Sequence, residues 1–490
     1  MKDLRLRTSI THPLQIAEIF AGPGYGKVGV TFCPGKRQPT AMTGGWNRSL
    51  DIDLDAVAAW GASAIVTLIE DHEITSLEVS DLGRMTRERH MAWVHLPIRD
   101  VSVPDDLFES AWKQADEGLR ARLRDGFNVL VHCKGGLGRA GTVAARLLIE
   151  LGMTPAEAIA AVRKARPGAI ETSGQETYVK ALQPAPEAVP DASEASVRDR
   201  AIGALLGLAV GDAVGTTLEF KARDSYPQLT DMIGGGPFRL KAGEWTDDTA
   251  MALALADPLH GKNDLDEADL MRRFVQWREE GTYSCTGDCF DIGVTTQAAL
   301  SRWRRTGDPI AGSTAPDSAG NGSLMRLSPV AIRFFRDRPR LRDVAARQSR
   351  TTHAAPEAVD ACVAFAEILA DAIEGRPRTE VMRSRDGNYT GAVAGIVSGS
   401  WRGLGRKDVK ASGYVAHSLE ASLWSVGRTG SYPEAVLLAA NLGDDADTTA
   451  AIAGQLAGAV YGALGIPERW LALVAWQARI RGMADGLLEW

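Results

Sequence analysis

The chain has 490 residues, a formal net charge of −7 and an apolar fraction of 45%. This length allows roughly two to four domains, and the composition is typical of a water-soluble globular protein. The negative charge provides no general attraction to nucleic acid or to anionic membranes, so we expect neither as a partner. The first residues lack the apolar core of a signal peptide, and five cysteines are too few for a disulfide framework, which predicts a cytoplasmic location.

Residues 1–183 alternate between strand-like and helix-like segments. Short apolar runs at 63–69 and 127–133 predict buried strands. Helical patterns alternate with them, at 54–61, 106–126 and 154–166. This alternation predicts an α/β layer fold with a mostly parallel central sheet.

A glycine-rich turn follows the second predicted strand, where residues 131–142 read VHCKGGLGRAGT. Five residues separate Cys133 from Arg139 and form a predicted phosphate cradle: Lys134, Gly135, Gly136, Leu137 and Gly138. Glycines let successive backbone N–H groups point inward at an anion, and the following helix adds positive charge at its N-terminus. Arg139 supplies a planar fork for phosphate. These groups favour a thiolate, so Cys133 is a predicted nucleophile.

This segment resembles the cysteine-based protein phosphatases, and among them the dual-specificity group that includes the kinase-associated phosphatases. The resemblance covers roughly residues 20–183. It rests on the cysteine segment and on three further motifs: FCPGK at 32–36, HLPIRD at 95–100 and GAIETSGQETYV at 168–179. The resemblance implies hydrolysis of a phosphorylated substrate through a phosphocysteine intermediate, without a cofactor.

The same resemblance implies a general acid on a loop before the cysteine. Asp100 fits by motif and Asp105 by spacing, although both aspartates could instead cap the helix predicted near Leu107. Gln175 stands where a water-positioning glutamine is expected. The family usually has a serine or threonine directly after the arginine to stabilise the departing thiolate, whereas this chain has Ala140. We therefore expect slow breakdown of the intermediate.

The segment at 183–196 contains three prolines and no large apolar run, which predicts a linker over 184–197. Alanine- and leucine-rich helical patterns dominate the rest of the chain and predict an all-α domain over 198–490. They occur at 200–214, 248–257, 356–373, 433–443 and 449–465. The weakly polar run near 449–466 is interrupted by Gln455, which indicates a packed helix rather than a membrane span.

Two clusters of oxygen-bearing side chains precede predicted helices in this domain. The first contains Thr246, Asp247 and Asp248, and the second contains Asp444, Asp445, Asp447, Thr448 and Thr449. One such cluster is explained by helix capping. Two clusters also fit helix ends that converge on shared cations, for which oxygen ligands favour Mg²⁺ or Mn²⁺ over zinc. Spacing alone leaves both interpretations open.

Residues 198–490 resemble the ADP-ribosylglycohydrolase family, especially the type that reactivates ADP-ribosylated dinitrogenase reductase. Matching blocks appear in family order at 203–220, 245–256, 286–296, 320–332, 351–359, 412–424 and 441–459. The resemblance implies an all-helical fold with two Mg²⁺ or Mn²⁺ ions, acting on an ADP-ribosylated protein or an ADP-ribose derivative. The implied metal ligands are Thr246, Asp247, Asp248, Asp445, Asp447 and Thr448, with Asp444 outside them.

Further roles follow from the same resemblance. Glu219 would act as general acid/base or hold the ribose, unless it is a surface residue that ends a helix. Asp212 would support the metal ligands from behind, and Asp291 is a weaker candidate for substrate contact. Implied substrate-binding residues are Asn321, Gly322 and Ser323 for the diphosphate or ribose, His353, and Tyr414 for adenine. Structural roles for His353 and Tyr414 remain open at this point.

Together the two halves predict a bifunctional hydrolase that removes ADP-ribose from a side chain and hydrolyses a phosphate monoester. In one alternative, only the ADP-ribosyl hydrolase is active and the phosphatase-like half is a phosphate-binding targeting module. In another alternative, the helical half binds ADP-ribose without hydrolysing it.

Overall fold

A computed structural model describes residues 6–41 and 44–489. The chain divides into two compact units, one that ends at Ala188 and also includes Gly427–Gly430, and one that contains the remaining residues from Val189 onward. We call them the N-terminal and C-terminal units. The first long helix of the C-terminal unit begins at Glu194, inside the predicted linker, because Ser193 caps it by accepting the Ser196 N–H.

The N-terminal unit is built on a five-stranded sheet in the order β1-β2-β7-β5-β6. The strands of the unit are β1 Ala17–Phe20, β2 Lys27–Phe32, β3 Arg37–Gln38, β4 Trp46–Asn47, β5 Ala62–Thr67, β6 Ala92–His95 and β7 Asn128–Cys133. In the five-stranded sheet only β1 pairs antiparallel with its neighbour, while β3 and β4 form a separate antiparallel ribbon. The predicted α/β fold with a mostly parallel sheet is confirmed.

The described residues of this unit also form seven helices: α1 Leu50–Ala59, α2 Asp71–Ser76, α3 Leu82–Arg87, α4 Asp106–Arg124, α5 Gly138–Glu150, α6 Pro155–Ala165 and α7 Ser173–Ala181. The central strand β7 is buried from Val129 to Cys133. It pairs in parallel with β2 and β5, so its C-terminal end opens onto the edge where parallel strands deliver functional loops. The sequence therefore places the cysteine segment at this edge.

The C-terminal unit is helical, as predicted. Its helices are α8 Glu194–Gly215, α9 Asp247–Leu259, α10 Glu267–Glu280, α11 Val294–Thr306, α12 Ser328–Phe334, α13 Arg338–Thr352, α14 Pro356–Glu374, α15 Arg378–Val381, α16 Gly391–Val397, α17 Val415–Gly427, α18 Tyr432–Ala440, α19 Ala446–Tyr461, α20 Glu468–Leu471 and α21 Gln477–Leu488. Single turns of 3₁₀ helix lie at Thr216–Leu218, Pro316–Ser318 and Ala463–Gly465. Its described residues contain isolated β-bridges but no longer strand.

Length and composition alone would allow one described helix to cross a membrane, the helix over Glu194–Leu218 with a mean hydropathy of 1.6 in its most apolar window. That window is 94% buried inside the protein, as in a core helix. The weakly polar run predicted as a packed helix forms α19, which is buried along most of its length.

Helices α8 and α19 approach each other so closely that their backbones touch. Small residues recur at every fourth position of α8: Gly203, Gly207, Gly211 and Gly215. A methyl group at Gly211 would come within 3.0 Å of the carbonyl oxygen of Ala450 on α19, closer than side chains pack. The contact places Asp212 on α8 beside Asp447 at the start of α19.

We predict that Gly211→Ala lowers the free energy of unfolding by about 1–3 kcal/mol, because the added methyl group must push α8 away from α19. Urea denaturation measures this change. Gly482→Ala is the matched control, since Gly482 lies in α21 with no atom within 4 Å of the added methyl group. This control should raise stability by about 0.5–1 kcal/mol. Equal effects at the two positions would contradict the close approach.

Candidate active sites

The N-terminal site is built around Cys133 at the end of β7. Its side chain is buried, and the Gly136 N–H donates a hydrogen bond to its sulfur at 3.2 Å. Gly136 has a φ of +69°, and a methyl group there would overlap the backbone of Thr31. Only glycine fits this turn, because both the conformation and the space exclude a side chain.

Two side chains outside the predicted cradle donate hydrogen bonds to three of its backbone carbonyls. The Lys134 carbonyl accepts from Lys36 Nζ at 3.3 Å, and Arg166 donates to the carbonyls of Gly135 and Gly136 at 3.2 and 3.0 Å. In a trans peptide the N–H points opposite to the carbonyl. The N–H groups that follow these three carbonyls therefore point away from Lys36 and Arg166, and that of Gly136 bonds to the Cys133 sulfur, as an anion-binding loop requires.

Arg139 is fixed by a buried acid that the sequence alone did not single out. Its guanidinium donates to both carboxylate oxygens of Glu73, at 2.5 and 3.0 Å, and to the Ile98 carbonyl at 2.9 Å. Burial is the largest single influence on Glu73 and raises its pKa, but the hydrogen bonds from Arg139 and the Glu70 backbone, together with the charges of Arg139 and Lys134, outweigh burial and lower the pKa. The charged pair orients Arg139 before any phosphate arrives. The only sequence signal for Glu73 was an acid in the helix that follows β5.

The two candidate acids occupy different places. The Asp100 carboxylate lies 2.9 Å from Nη2 of Arg139, with 58% of its side chain exposed. Asp105 caps α4 by accepting the Phe108 N–H at 2.9 Å. The structure therefore brings Asp100 to the cysteine site and gives Asp105 a local role in the helix.

Gln175 and Glu171 lie beside the cradle. The Gln175 side chain is buried; it accepts the Glu171 N–H at 3.0 Å and donates to the Ser102 carbonyl at 3.1 Å. The Glu171 carboxylate accepts the Gly138 N–H at 2.7 Å. Gln175 therefore holds two loops together next to the cradle.

Thr142 does not replace the hydroxyl that Ala140 lacks. Thr142 donates its hydroxyl to the Gly138 carbonyl at 2.9 Å, within its own helix. His132, before the cysteine, bonds through Nε2 to the Thr67 hydroxyl at 2.8 Å. Burial lowers the pKa of His132 to about 3, so the ring is neutral.

The C-terminal site gathers carboxylates from distant parts of the chain. Candidate ligand atoms lie within 4.8 Å of one another in two groups, Asp212 with Asp248 and Asp447, and Glu219 with Asp445 and Asp447. The Thr246 hydroxyl donates to Asp212 at 3.0 Å and to Asp248 and Asp447 at 3.3 Å each. The ends of α9 and α19 therefore converge, as their sequence suggests.

The carboxylates of Asp212 and Asp248 differ in their hydrogen bonding. Both carboxylate oxygens of Asp212 accept hydrogen bonds from the start of α9, from Thr246 and Thr249. Asp248 accepts through Oδ2 from Thr246 and Thr448, but its buried Oδ1 has no hydrogen-bond partner among the described residues. An unpartnered buried carboxylate oxygen fits a cation ligand, whereas Asp212 orients the residues around it.

Glu219 is buried and caps α19, since its carboxylate accepts the N–H groups of Ala446 and Asp447 at 2.8 and 3.2 Å. This burial excludes the interpretation of Glu219 as a surface residue. Asp444 is exposed, with a φ of +63° and its N–H bonded to the Lys221 carbonyl. Asp247 is buried but belongs to neither carboxylate group.

The acidic side chains of this site have raised pKa values. Burial raises the pKa of Asp212 and of Asp445 to about 7, and in both the neighbouring Asp447 adds to the effect. Burial and then the charge of Asp247 raise the pKa of Asp291 to about 10. The pKa values of Asp247, Asp248 and Glu219 are raised as well, mainly by burial. A divalent cation among these groups removes the repulsion, so the residues fit metal ions.

The predicted diphosphate turn borders the acidic centre. The Asn321 side chain donates to Asp445 at 2.6 Å and to the Ser418 hydroxyl at 2.8 Å. The Ser323 hydroxyl is buried against that of Ser349 at 2.8 Å. Among the described residues no hydrogen-bond partner is found for the N–H of Gly322 or Ser323. These two N–H groups, rather than the serine hydroxyl, can bind an anion.

His353 and Tyr414 both have partners within the protein. The His353 ring bonds through Nδ1 to the Thr352 hydroxyl at 2.8 Å, and burial lowers its pKa to about 3. It also lines the turn, because a methyl group at Gly322 would come within 2.8 Å of it. Tyr414 donates to Glu357 at 2.6 Å, and its ring meets His417 edge-on at 5.0 Å.

A cavity of about 560 Å³ adjoins residues of this centre. It is lined by Phe220, Lys221, Ala222, Arg223, Lys410, Ala411, Ser412, His417, Leu442 and Asp444. Two of its lining residues, Phe220 and Asp444, are the chain neighbours of Glu219 and Asp445. Its lysines offer positive charge next to a site that is otherwise strongly negative.

Two families match the chain, each over one of its halves. The family described as ADP-ribosylglycohydrolase matches residues 193–489, and the one described as "Swiss Army Knife protein, DSP-PTPase phosphatase domain" matches residues 38–179. The chain therefore belongs to the ADP-ribosylglycohydrolase family and carries a phosphatase domain of the dual-specificity type. Both resemblances noted in the sequence are confirmed.

Individual proteins agree with these matches. The chain is 46% identical over 291 residues to the ADP-ribosylarginine hydrolase Tri1 of Pseudomonas putida (strain GB-1), which covers 59% of this chain and 78% of that protein. It is 31% identical over 135 residues to cyclin-dependent kinase inhibitor 3 of Rattus norvegicus, covering 27% of this chain and 62% of that protein. A solved structure described as "ADP-ribosylglycohydrolase-related protein complex" is similar with a TM-score of 0.53 at 38% identity, covering 60% of this chain and 98% of that chain.

We predict that the thermal stability of the metal-free C-terminal unit falls as the pH rises from about 4 to about 7. Folding raises the pKa of Asp212 and Asp445 from 3.8 to about 7, so the folded state holds protons that the unfolded state has released. Calorimetry in EDTA between pH 4 and pH 7 measures the trend.

Millimolar Mn²⁺ or Mg²⁺ should raise the melting temperature more at pH 8 than at pH 5, because the cation competes with protons for the carboxylates. Asp248→Asn should weaken this response, while Asp386→Asn, a change at an exposed aspartate, should leave it intact. A melting temperature in EDTA that rises with pH over this range would show that the carboxylates are not destabilising.

Proposed function

We propose that the protein is a bifunctional cytoplasmic hydrolase. Its C-terminal unit removes ADP-ribose from a modified arginine side chain, and its N-terminal unit hydrolyses a phosphate monoester through Cys133. The observation that carries the first activity is the convergence of carboxylates from α8, α9 and α19 around the unpartnered oxygen of Asp248. The name of the relative from P. putida, an ADP-ribosylarginine hydrolase, favours arginine as the attachment site.

Two cations of the Mg²⁺ or Mn²⁺ type would be held by Thr246, Asp247, Asp248, Asp445, Asp447 and Thr448. When bound, they supply Lewis acidity and a fixed position for ribose hydroxyls and a water molecule. Asp212 holds Thr246 and Thr249 in place, and Asn321 holds Asp445. The protein thus orients the ligand atoms before a cation arrives.

The bond that breaks joins the anomeric carbon of the ribose to the arginine nitrogen. The oxygen of a water molecule forms the new bond to that carbon, and the proton of the water passes to a neighbouring carboxylate. Positive charge develops on the sugar, and the surrounding carboxylates stabilise it. Glu219, whose pKa burial raises, can carry the proton that the leaving guanidine takes up. The N–H groups of Gly322 and Ser323 can bind the diphosphate, and the adjoining cavity offers room for further parts of the substrate.

We predict that Asp247→Asn combined with Asp248→Asn slows release of ADP-ribose from ADP-ribosylated arginine by at least about a hundredfold, since cation binding contributes several kcal/mol to the transition state. The assay measures free ADP-ribose with Mg²⁺ or Mn²⁺ present. The exposed pair Asp386→Asn with Asp408→Asn is the control and should retain activity. Binding of ADP-ribose without any hydrolysis by the unchanged protein would favour a reader instead.

In the N-terminal unit the Cys133 thiolate attacks phosphorus, and the bond from phosphorus to the leaving oxygen breaks. The cradle N–H groups and Arg139 stabilise the charge on the phosphoryl oxygens. Asp100 protonates the departing oxygen. Water then attacks the phosphocysteine, the bond from sulfur to phosphorus breaks, and Cys133 leaves as a thiolate.

One observation favours a second function for this unit. Ala140 removes a hydroxyl that relatives use for the departing thiolate, and Thr142 is committed to its own helix. A cradle that binds phosphate but turns over slowly would serve as a targeting module for phosphorylated partners. Turnover is the measurement that separates the two functions.

We predict that the protein hydrolyses p-nitrophenyl phosphate and that Cys133→Ser abolishes the reaction, because the nucleophile is lost. Cys289→Ser, a change at a partly exposed cysteine of the C-terminal unit, is the control and should retain the rate. Phosphate binding by the unchanged protein without any turnover would favour the targeting module.

The same assay tests the general acid. Asp100→Asn should slow phenyl phosphate far more than p-nitrophenyl phosphate, since the poorer leaving group needs the proton more. Asp105→Asn, five residues away, should leave both rates unchanged and at most lower stability by about 1 kcal/mol through the weakened helix cap. Equal effects of the two variants would remove Asp100 from the mechanism.

A further inference from the structure

Lys36 lies in the FCPGK turn after β2, a motif that neither proposed activity has used. Its side chain is buried, with only 6% of the residue exposed. Its ammonium donates to the Lys134 carbonyl, and the described residues contain no carboxylate in an ion pair with it. A buried ammonium without an acidic partner is costly, so its position calls for a compensating negative charge.

The turn is built to hold this ammonium in place. Lys36 Nζ lies 4.7 Å from the ring centres of both Phe32 and Trp46, which stabilise a cation through their faces. Arg48 covers the same two rings and pairs with Asp53, both side chains being fully buried. Because these contacts are buried, Lys36 is a fixed charge rather than a flexible surface lysine.

The groups that can become negative beside Lys36 are thiols. Phe32, four residues before it, is the parallel strand partner of Cys133, and the carbonyl that Lys36 holds belongs to the residue after Cys133. Burial lowers the pKa of Lys36 to about 8, while the thiols of Cys33 and Cys133 act against this shift. Burial raises the pKa of the Cys33 thiol far above its usual range, so Cys33 stays neutral beside the proposed nucleophile Cys133.

We propose that Lys36 is a positioning residue for the phosphatase reaction: its ammonium holds the Lys134 carbonyl outside the cradle and stabilises the Cys133 thiolate in place of the hydroxyl that Ala140 lacks. The inference rests on the proposed phosphatase function. In the second step water forms a bond to phosphorus, the bond from phosphorus to sulfur breaks, and its electron pair stays on Cys133. Lys36 stays protonated throughout and lowers the energy of that negative sulfur.

Other charges surround the thiol and ammonium. Arg139 on α5 and Glu73 on α2 form a pair, Asp100 lies against Arg139, and Arg166 lies behind the cradle. Arg48, paired with Asp53, contacts the same two rings as Lys36. The variants below leave all of these residues in place, so a change in reactivity reports on Lys36.

The test is the rate at which iodoacetamide alkylates Cys133 in the full chain as a function of pH, followed by mass spectrometry of the peptide that contains Cys133. Iodoacetamide is uncharged, so its approach does not depend on the charge of the cradle. In Lys36→Met we expect the profile to shift upward by about one pH unit, with a rate at pH 6.5 about tenfold lower. Lys113→Met, on the exposed face of α4, should leave the profile in place.

Two further variants separate charge from packing. Lys36→Arg keeps the charge and should keep the profile of the unchanged protein; a shift as large as that of Lys36→Met would overturn the proposal. Lys36→Gln keeps a donor for the Lys134 carbonyl without the charge and should shift the profile as Lys36→Met does. If circular dichroism shows that Lys36→Met does not fold, Lys36→Gln replaces it as the variant that removes the charge.

Single-turnover kinetics with p-nitrophenyl phosphate give an independent readout. Lys36→Met should slow breakdown of the phosphocysteine more than its formation, and adding Ala140→Ser should recover at least part of the lost rate. An alkylation profile that is the same in all Lys36 variants would refute the inference even if the protein is an active phosphatase. Because alkylation needs no turnover, a shifted profile in a protein that hydrolyses no phosphate would instead count against the proposed function alone.

Discussion

The close crossing of α8 and α19 is the constraint on which the C-terminal site depends. The glycines of α8 let the two backbones touch, and this contact sets Asp212 beside Asp447. Thr246 then bridges Asp212 and Asp248, so the start of α9 is attached to the same point. A wider crossing would separate the carboxylates and leave each helix end with an ordinary cap.

The sites of the two units have opposite charge. In the N-terminal unit, N–H groups, Arg139 and Lys36 concentrate positive charge around a thiol and its phosphate. In the C-terminal unit, carboxylates concentrate negative charge for which only cations can compensate. Each site contains a buried group for which the described residues provide no counterion: Lys36 in the first site, and Asp248 among other carboxylates in the second. These uncompensated groups indicate the chemistry more directly than the residues that already have partners.

Several predicted site residues turn out to hold the sites together. Gln175 joins two loops beside the cradle, Ser323 points its hydroxyl into the core, and Glu219 caps α19 while standing among the acids. Glu73, in contrast, was not predicted from the sequence, although its carboxylate accepts two hydrogen bonds from Arg139. The sequence around Glu73 contains no local motif that predicts its contact with Arg139, because the two residues are 66 positions apart.

The amino-acid sequence by itself determined the two fold classes, the central strand that ends at Cys133 and the helix starts that carry the acidic clusters. These features are local, since they follow from apolar periodicity, glycine in a tight turn and capping residues. Only the tertiary structure decided that Asp100 and not Asp105 reaches Arg139 and that Lys36 stands behind the cradle. It also decided that both oxygens of Asp212 have partners, while Oδ1 of Asp248 has none among the described residues. Those outcomes depend on distances between segments far apart in the chain, and spacing along the sequence does not contain them.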